Sequence, residues 1–318
     1  MIHIGDDFLS LPDSALDAMD IVPAEIADAI EDALRAKAQG RLHVSPKAAI
    51  LPGQGRYMMS TLAVGDDGLT VVKQVTVSPD NPGRGLPAIN GAIMVLDAET
   101  GKLRAVLGAN WVTAHRTAAL SAVAARRLVP TEAETIAFVG CGVQARSHLL
   151  AFHDMFRLRR VLAVGRGAAN VTALCDEACG MGLDAAPSDA DAALRAADIV
   201  VTSVTLDYTI APFLDARCLQ PHAYAAITDL CIPWLPKSMG AFGTVIVDDL
   251  EQETSSEKPM LPVDQISGDL TGLVTTDIAP KPDRPTAFVF RGIALGDYAA
   301  AALAIRRAEE TGAGQRIA

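Results

Sequence analysis

The chain has 318 residues, half of them hydrophobic but only 4% aromatic, and a formal net charge of −11. That length suits about two domains of the usual ~100–200 residues, and a core rich in Ala, Val, Leu and Ile suits helices packed on parallel strands. The acidic balance speaks against a nucleic-acid surface, which would need a basic stripe. Residues Met1–Leu11 lack a basic segment followed by an apolar run, and no stretch approaches the ~18 uninterrupted apolar residues of a membrane span. The expectation is a soluble, cytoplasmic protein with neither a membrane nor a nucleic-acid partner. Five cysteines (141, 175, 179, 218 and 231) form no regular framework, as in reduced intracellular chains. Cys175 and Cys179 share a helical spacing, but no His or Cys pair with ligand spacing stands nearby, so no metal site is expected.

In chain order, Pro23–Gly40 places Ile26, Ile30 and Leu34 at helical spacing and ends on glycine. From Lys47 to Leu103 the texture changes to short alternating runs, Met58–Val64, Leu69–Val77 and Ala92–Asp97, which predict an antiparallel or mixed sheet. Asp97–Gly101 has turn chemistry between two of its strands. Thr113–Leu128 reads as a long Ala-rich helix stopped by Pro130.

Strands at Thr135–Val139, Val161–Val164, Ile199–Thr202, Ala223–Thr228 and Val245–Val247 then alternate with helical stretches. That alternation predicts a doubly wound parallel sheet over roughly residues 130–285. A Pro/Asp/Lys loop, Ala279–Pro285, precedes a last helix, Gly292–Thr311. This helix lies too far along to belong to the sheet, and is expected to return to the first domain. The predicted domains are 1–115 with 290–318, and 116–289.

Within the second domain, the strand Thr135–Val139 runs into Gly140-Cys-Gly142-Val-Gln-Ala145 and then into a helix expected over Arg146–Leu158. Gly140 permits the tight turn, Gly142 lets the backbone approach a pyrophosphate, and Ala145 lets helix and strand pack closely. The helix N-terminus offers unpaired N–H groups to the negative charge. The bland alternative is a glycine-rich turn of some other α/β protein. Thr202 and Ser203 end a strand at the edge where cofactors lie, or simply cap the backbone. About twenty residues beyond the motif stands Arg166 rather than an acid, which tilts the choice between NADP and NAD toward NADP.

The runs Lys73-Gln-Val-Thr-Val-Ser-Pro-Asp-Asn-Pro-Gly-Arg-Gly-Leu-Pro87, Gly91–Gly101, and Thr113-Ala-His-Arg-Thr-Ala-Ala119 precede the glycine motif in that order. Together they closely resemble the ornithine cyclodeaminase/μ-crystallin family, from about Lys47 to the final helix. The resemblance implies a Rossmann-type parallel sheet plus a discontinuous α+β domain for substrate binding and dimerisation, and hence a homodimer. Its members include cyclodeaminases, alanine dehydrogenases, ketimine and pyrroline-carboxylate reductases, and a hydroxyproline dehydratase, so fold alone does not fix function.

The same resemblance puts the substrate carboxylate on Lys47, Lys73 and Arg116. A guanidinium can grip a carboxylate with two parallel bonds, and an ammonium can also donate a proton. A lysine inside the apolar run Leu69–Val77 needs a partner or a purpose, whereas Lys47 serves equally well as a solvated surface residue. Thr117 is expected to hold cofactor phosphates at a helix start, or to be a first-turn threonine. Gln144 is expected to reach the pyrophosphate or ribose, or to face solvent. His115 reads as structural or exposed.

Cyclodeaminases carry an Asp in an Asp-x-Pro-Gly-Lys segment, whereas this chain reads Thr228-Asp229-Leu-Cys-Ile-Pro-Trp-Leu-Pro-Lys237. That departure moves weight from ornithine cyclisation to imine reduction. The reading is an NAD(P)H-dependent reductase of a small α-imino acid, or an amino-acid dehydrogenase, with Lys73 or Asp229 handling protons. An ornithine cyclodeaminase with tightly bound NAD and a non-enzymatic cofactor-binding sensor stand as alternatives.

Overall fold

The computed structural model describes residues 7–205, 207 and 209–318. Its elements run β1 (Phe8–Leu11), α1 (Asp13–Asp17), α2 (Pro23–Ala38), β2 (Leu42–Val44), β3 (Ala48–Gly53), β4 (Arg56–Gly65), β5 (Leu69–Val77), β6 (Ile89–Asp97), β7 (Leu103–Gly108) and α3 (Ala109–Leu128). There follow β8 (Thr135–Val139), α4 (Val143–His153), β9 (Arg160–Val164), α5 (Ala168–Gly180), β10 (Asp184–Pro187), α6 (Ala190–Ala196), β11 (Ile199–Thr202), β12 (Tyr224–Ile227), β13 (Thr244–Val247), α7 (Leu250–Thr254), β14 (Gly268–Asp269), α8 (Leu270–Thr275), β15 (Thr286–Val289), α9 (Ala294–Thr311) and β16 (Gln315–Ile317). The chain divides into two compact units, the described residues through Arg116 with Gly292–Ala318, and Thr117–Arg291.

In the first unit, β16-β1-β7-β6-β5-β4-β2 form a mixed sheet, with β3 also paired to β4. Alternation decides its faces. Thr61 and Ala63 on β4, Val71, Lys73 and Val75 on β5, and Ile93 and Val95 on β6 are all buried, and α9 packs against β4 and β5. Thr61, Lys73 and Ile93 lie side by side in one register row. Helix α2 buries Ile26, Ile30 and Leu34 completely, each contributing ~1.5–3 kcal/mol, and packs on α9. The last helix therefore belongs to the first unit, across almost the whole length of the sequence. Helix α3 begins four residues before the expected Thr113, because Asp13 on α1 accepts the Trp111 N–H at 2.9 Å. This distant carboxylate supplies the cap.

In the second unit the sheet order is β10-β9-β8-β11-β12-β15-β13-β14, parallel throughout. Strands β11, β12, β13 and β15 are four-residue runs with every residue buried, as expected of strands covered on both faces. Thr286–Val289 extends the sheet past the expected boundary at 285 and inserts between β12 and β13, too short a run to show periodicity. Helix α4 starts directly after Gly142 and stops at His153, earlier than the predicted Leu158. Beyond it, Phe156 N–H bonds the Phe152 carbonyl in a closing turn, and the two rings meet edge-on at 6.0 Å. The winding reverses at β8, flanked by β9 and β11. Open α/β sheets bind ligands outside the carboxyl ends of the strands at such a point. Among the described residues no helix is long and apolar enough to cross a membrane.

Candidate active site

The first unit holds a buried charge cluster. Lys73 on β5 is fully buried and Arg116 on α3 is 3% exposed. Lys73 Nζ lies 2.6 Å and Arg116 Nε 3.0 Å from the same oxygen, Oδ1 of Asp297 on α9. Thr61 on β4 donates to the other oxygen at 2.9 Å. Two cations thus share one internal carboxylate oxygen. Burial, then the Arg116 charge, pushes Lys73 down to about 8 against the pull of Asp297. Burial alone would raise Asp297, but the Lys73 and Arg116 charges outweigh it and hold the carboxyl below its ordinary value.

Lys47 precedes β3, sits 5.7 Å from the Tyr57 ring centroid, and adds to the positive field at Lys73. His115 packs on Trp111, with ring centroids 4.6 Å apart, and burial lowers its pKa. Asp297 is the residue that sequence reasoning missed. The signal was there: an acid on an otherwise Ala- and Leu-rich helix face needs a partner for the same reason that Lys73 does.

The second unit holds a pocket of about 580 Å³ at the β8/β11 reversal. Gly140, Cys141, Gly142, Arg166, Ser203 and Val204 line it, with Asn170, Ser188 and Phe213 among others. Gly140 has φ +97°, and a Cβ there would stand 2.5 Å from the Ser203 carbonyl oxygen, so the turn requires glycine. A Cβ on Gly142 meets no protein atom within 4 Å. A side chain there would instead occupy the pocket at the N-terminus of α4. Ala145, in the first turn of that helix, is fully buried. A glycine-edged cradle at a helix N-terminus fits a dinucleotide pyrophosphate. Arg166 stands past the end of β9, and no acid is found among the described lining residues.

Other predicted residues lie elsewhere. Thr117 is buried in the middle of α3 rather than at a helix start, so the free N–H groups expected there are absent. Gln144 is outside the pocket lining, and its carbonyl is bonded by His148 Nδ1 at 2.7 Å. Thr202 also lies outside the lining: its hydroxyl, fully buried, donates to Asp229 at 3.0 Å. Asp229 is 1% exposed, and burial pushes its carboxyl up to about 7 despite the bonds from Val204 N–H and Thr202. His148 is fully buried and pushed down to about 4 by burial. The Ser121 hydroxyl lies 2.9 Å from its Nε2, so it is a neutral link between α3 and α4.

The sequence pattern of the ornithine cyclodeaminase/mu-crystallin family matches residues 15–311. The chain belongs to that family. Among family members, it is 36% identical over 162 residues to a Delta(1)-pyrroline-2-carboxylate reductase of Burkholderia multivorans, covering 51% of this chain and 52% of that protein. The match thus spans about half the length of that curated relative. It is 28% identical over 253 residues to the L-lysine cyclodeaminase of Streptomyces rapamycinicus, covering 77% and 74% of the two chains. The fold superposes on the Thermococcus litoralis Delta(1)-pyrroline-2-carboxylate reductase, a complex with NADH and L-proline, with a TM-score of 0.88 and 21% identity over 98% of this chain and 100% of that one.

Proposed function

We propose that this protein is an NAD(P)H-dependent reductase of a small α-imino acid of the ketimine or pyrroline-2-carboxylate type. The observation that carries the reading is the buried Lys73–Arg116–Asp297 cluster, which sets an ammonium and a guanidinium side by side as a carboxylate-binding pair. The glycine-edged pocket and the reductase relatives support it. Gly140 and Gly142 would hold the pyrophosphate of a nicotinamide dinucleotide, with Arg166 on its adenosine side, and the bound cofactor would supply a hydride.

The chain's own groups do the rest. Arg116 orients the substrate through its carboxylate. Lys73, an ammonium pushed down to about 8 by burial and Arg116, keeps the imine nitrogen protonated and so makes its carbon a better hydride acceptor. A protonated imine plus hydride gives the amine, and electrons and charge balance without further reactants.

The test is an NADPH and NADH oxidation assay with pyrroline-2-carboxylate, in which one reduced cofactor disappears per substrate. Ammonia released from ornithine or lysine with only catalytic NAD would instead establish a cyclodeaminase. Loss of neither cofactor nor ammonia across imino and amino acids would leave a binding protein.

A homodimer belongs to the same proposal. On the sheet face opposite α9, Leu62, Val72, Met94 and Val106 form one apolar register row across β4, β5, β6 and β7. Leu62 is 40% and Met94 45% exposed, and a second copy laid on this face would cover them. Light scattering at micromolar concentration tests this, and a monomer alone refutes it. A cytoplasmic location is proposed with it.

A further inference from the structure

Asp229 holds both of its carboxylate oxygens inside the protein. Oδ1 accepts from Thr202 Oγ1 at 3.0 Å and Oδ2 from the Val204 backbone N–H at 3.1 Å. The Thr202 hydroxyl accepts in turn from Trp234 Nε1 at 3.3 Å, and Trp234 is 1% exposed. On its other side the same backbone is tied to the glycine turn. Ser203 N–H bonds Val139 O at 2.9 Å, and Ser203 Oγ donates to Gly140 O at 3.2 Å. A Cβ on Gly140 would stand 2.5 Å from Ser203 O and 3.1 Å from Val204 N. Residues 203 and 204 are therefore wedged between Asp229 and the turn that edges the pocket, and both line the pocket.

Two consecutive non-glycine residues after Asp229, Leu230 and Cys231, have φ +57° and +59°. Such strain persists only where the surroundings over-determine it. Here Ile232 N–H bonds Asp229 O at 3.1 Å and Trp234 N–H bonds Cys231 O at 3.0 Å, closing the turn.

We propose that Asp229 is a positioning residue for the dinucleotide: it latches Val204, and through Ser203 the glycine turn, and exchanges no proton with substrate. The inference rests on the pocket being the dinucleotide site. Geometry favours a latch over an acid. A proton donor must present its oxygen to the substrate within hydrogen-bond reach, whereas here each oxygen already accepts a bond from the protein on the inner side of the loop.

Two substitutions separate the roles. Asp229→Asn keeps an amide oxygen for Val204 N–H and turns its NH2 toward Thr202 Oγ1, so it preserves the latch while removing any titrating proton. Asp229→Ala removes the latch. Amide hydrogen exchange at Val204 reads the latch without cofactor or turnover. It should quicken by about tenfold or more in Asp229→Ala and stay near wild type in Asp229→Asn.

The dissociation constant for NADPH, measured by protein-fluorescence quenching, should rise by about tenfold in Asp229→Ala and far less in Asp229→Asn. At saturating NADPH the turnover losses of the two variants should be small and similar. A turnover loss of about a hundredfold in Asp229→Asn with unchanged NADPH affinity would assign proton transfer and overturn the proposal. Unchanged Val204 exchange in Asp229→Ala would overturn it as well. If wild-type protein bound neither NADPH nor NADH, the reading of the pocket would fail, and the exchange data would still report whether the latch exists.

Discussion

Replacing Asp297 by Asn leaves Lys73, fully buried, and Arg116, 3% exposed, without the carboxylate both contact. Breaking a buried pair by removing one partner costs about 3–5 kcal/mol, because the remaining charge is neither solvated nor matched. Lys73 can relieve part of this by losing its proton. Asp297 raises Lys73 against burial and Arg116, with Lys47 adding repulsion from the β3 side, so without it the ammonium titrates below the present value of about 8.

The sign follows from linkage. A lysine depressed in the folded state binds fewer protons there than in the unfolded chain, so stability rises with pH between the folded and unfolded pKa values. In wild type that window runs from about 8 to the ordinary 10.5, and in the variant it opens lower. The stability gap should therefore be widest near pH 6 and narrower near pH 9. Urea unfolding followed by circular dichroism at both pH values measures it. The same variant should move the alkaline limb of kcat/KM to lower pH, since Lys73 loses its proton sooner. A gap under about 1 kcal/mol, or one equal at both pH values, would refute the claim that Asp297 stabilises the buried charges of Lys73 and Arg116.

Gly142→Leu should abolish NADPH binding while leaving the melting curve near wild type, because a side chain there meets pocket rather than protein; intact affinity would refute the pyrophosphate assignment. Arg166→Ala should cost NADPH about tenfold in kcat/KM relative to NADH, the equivalent of one charge-assisted hydrogen bond; an unchanged ratio would show that Arg166 does not meet the 2′-phosphate. Arg116→Ala should lower kcat/KM by the equivalent of roughly 2–5 kcal/mol if it clamps a desolvated carboxylate, with lost substrate affinity visible in KM; a near-wild-type constant would refute the clamp.

Local chemistry was legible in the sequence where a backbone requirement forces a residue type. Gly140 could be placed because φ +97° against the Ser203 carbonyl admits nothing larger, and the strand–turn–helix order around it marked the parallel sheet. Lys73 could be singled out because a lysine in the apolar run Leu69–Val77 contradicts its neighbours. What stayed hidden was set by distant partners. The start of α3 is fixed by Asp13, and reading that start too late carried Thr117 to a helix end that does not exist. Strand β15 has four residues and gains its place from β12 and β13 on either side, which no local pattern records.

The charge cluster shows how far a sequence can carry such an argument. A buried cation announces that a counter-charge is required, and two of them, Lys73 and Arg116, suggested a substrate carboxylate because the family resemblance supplied one. The protein's own answer is Asp297, 224 positions from Lys73 in sequence. This internal carboxylate changes the chemistry expected of the site. Two bare buried cations would be too costly to hold in the free protein and would drive Lys73 to its neutral form. With Asp297 present, Lys73 remains protonated up to about pH 8. In the proposed reaction, the proton at the imine nitrogen and the grip on the carboxylate would both depend on a helix at the far end of the chain, which groups with the first unit.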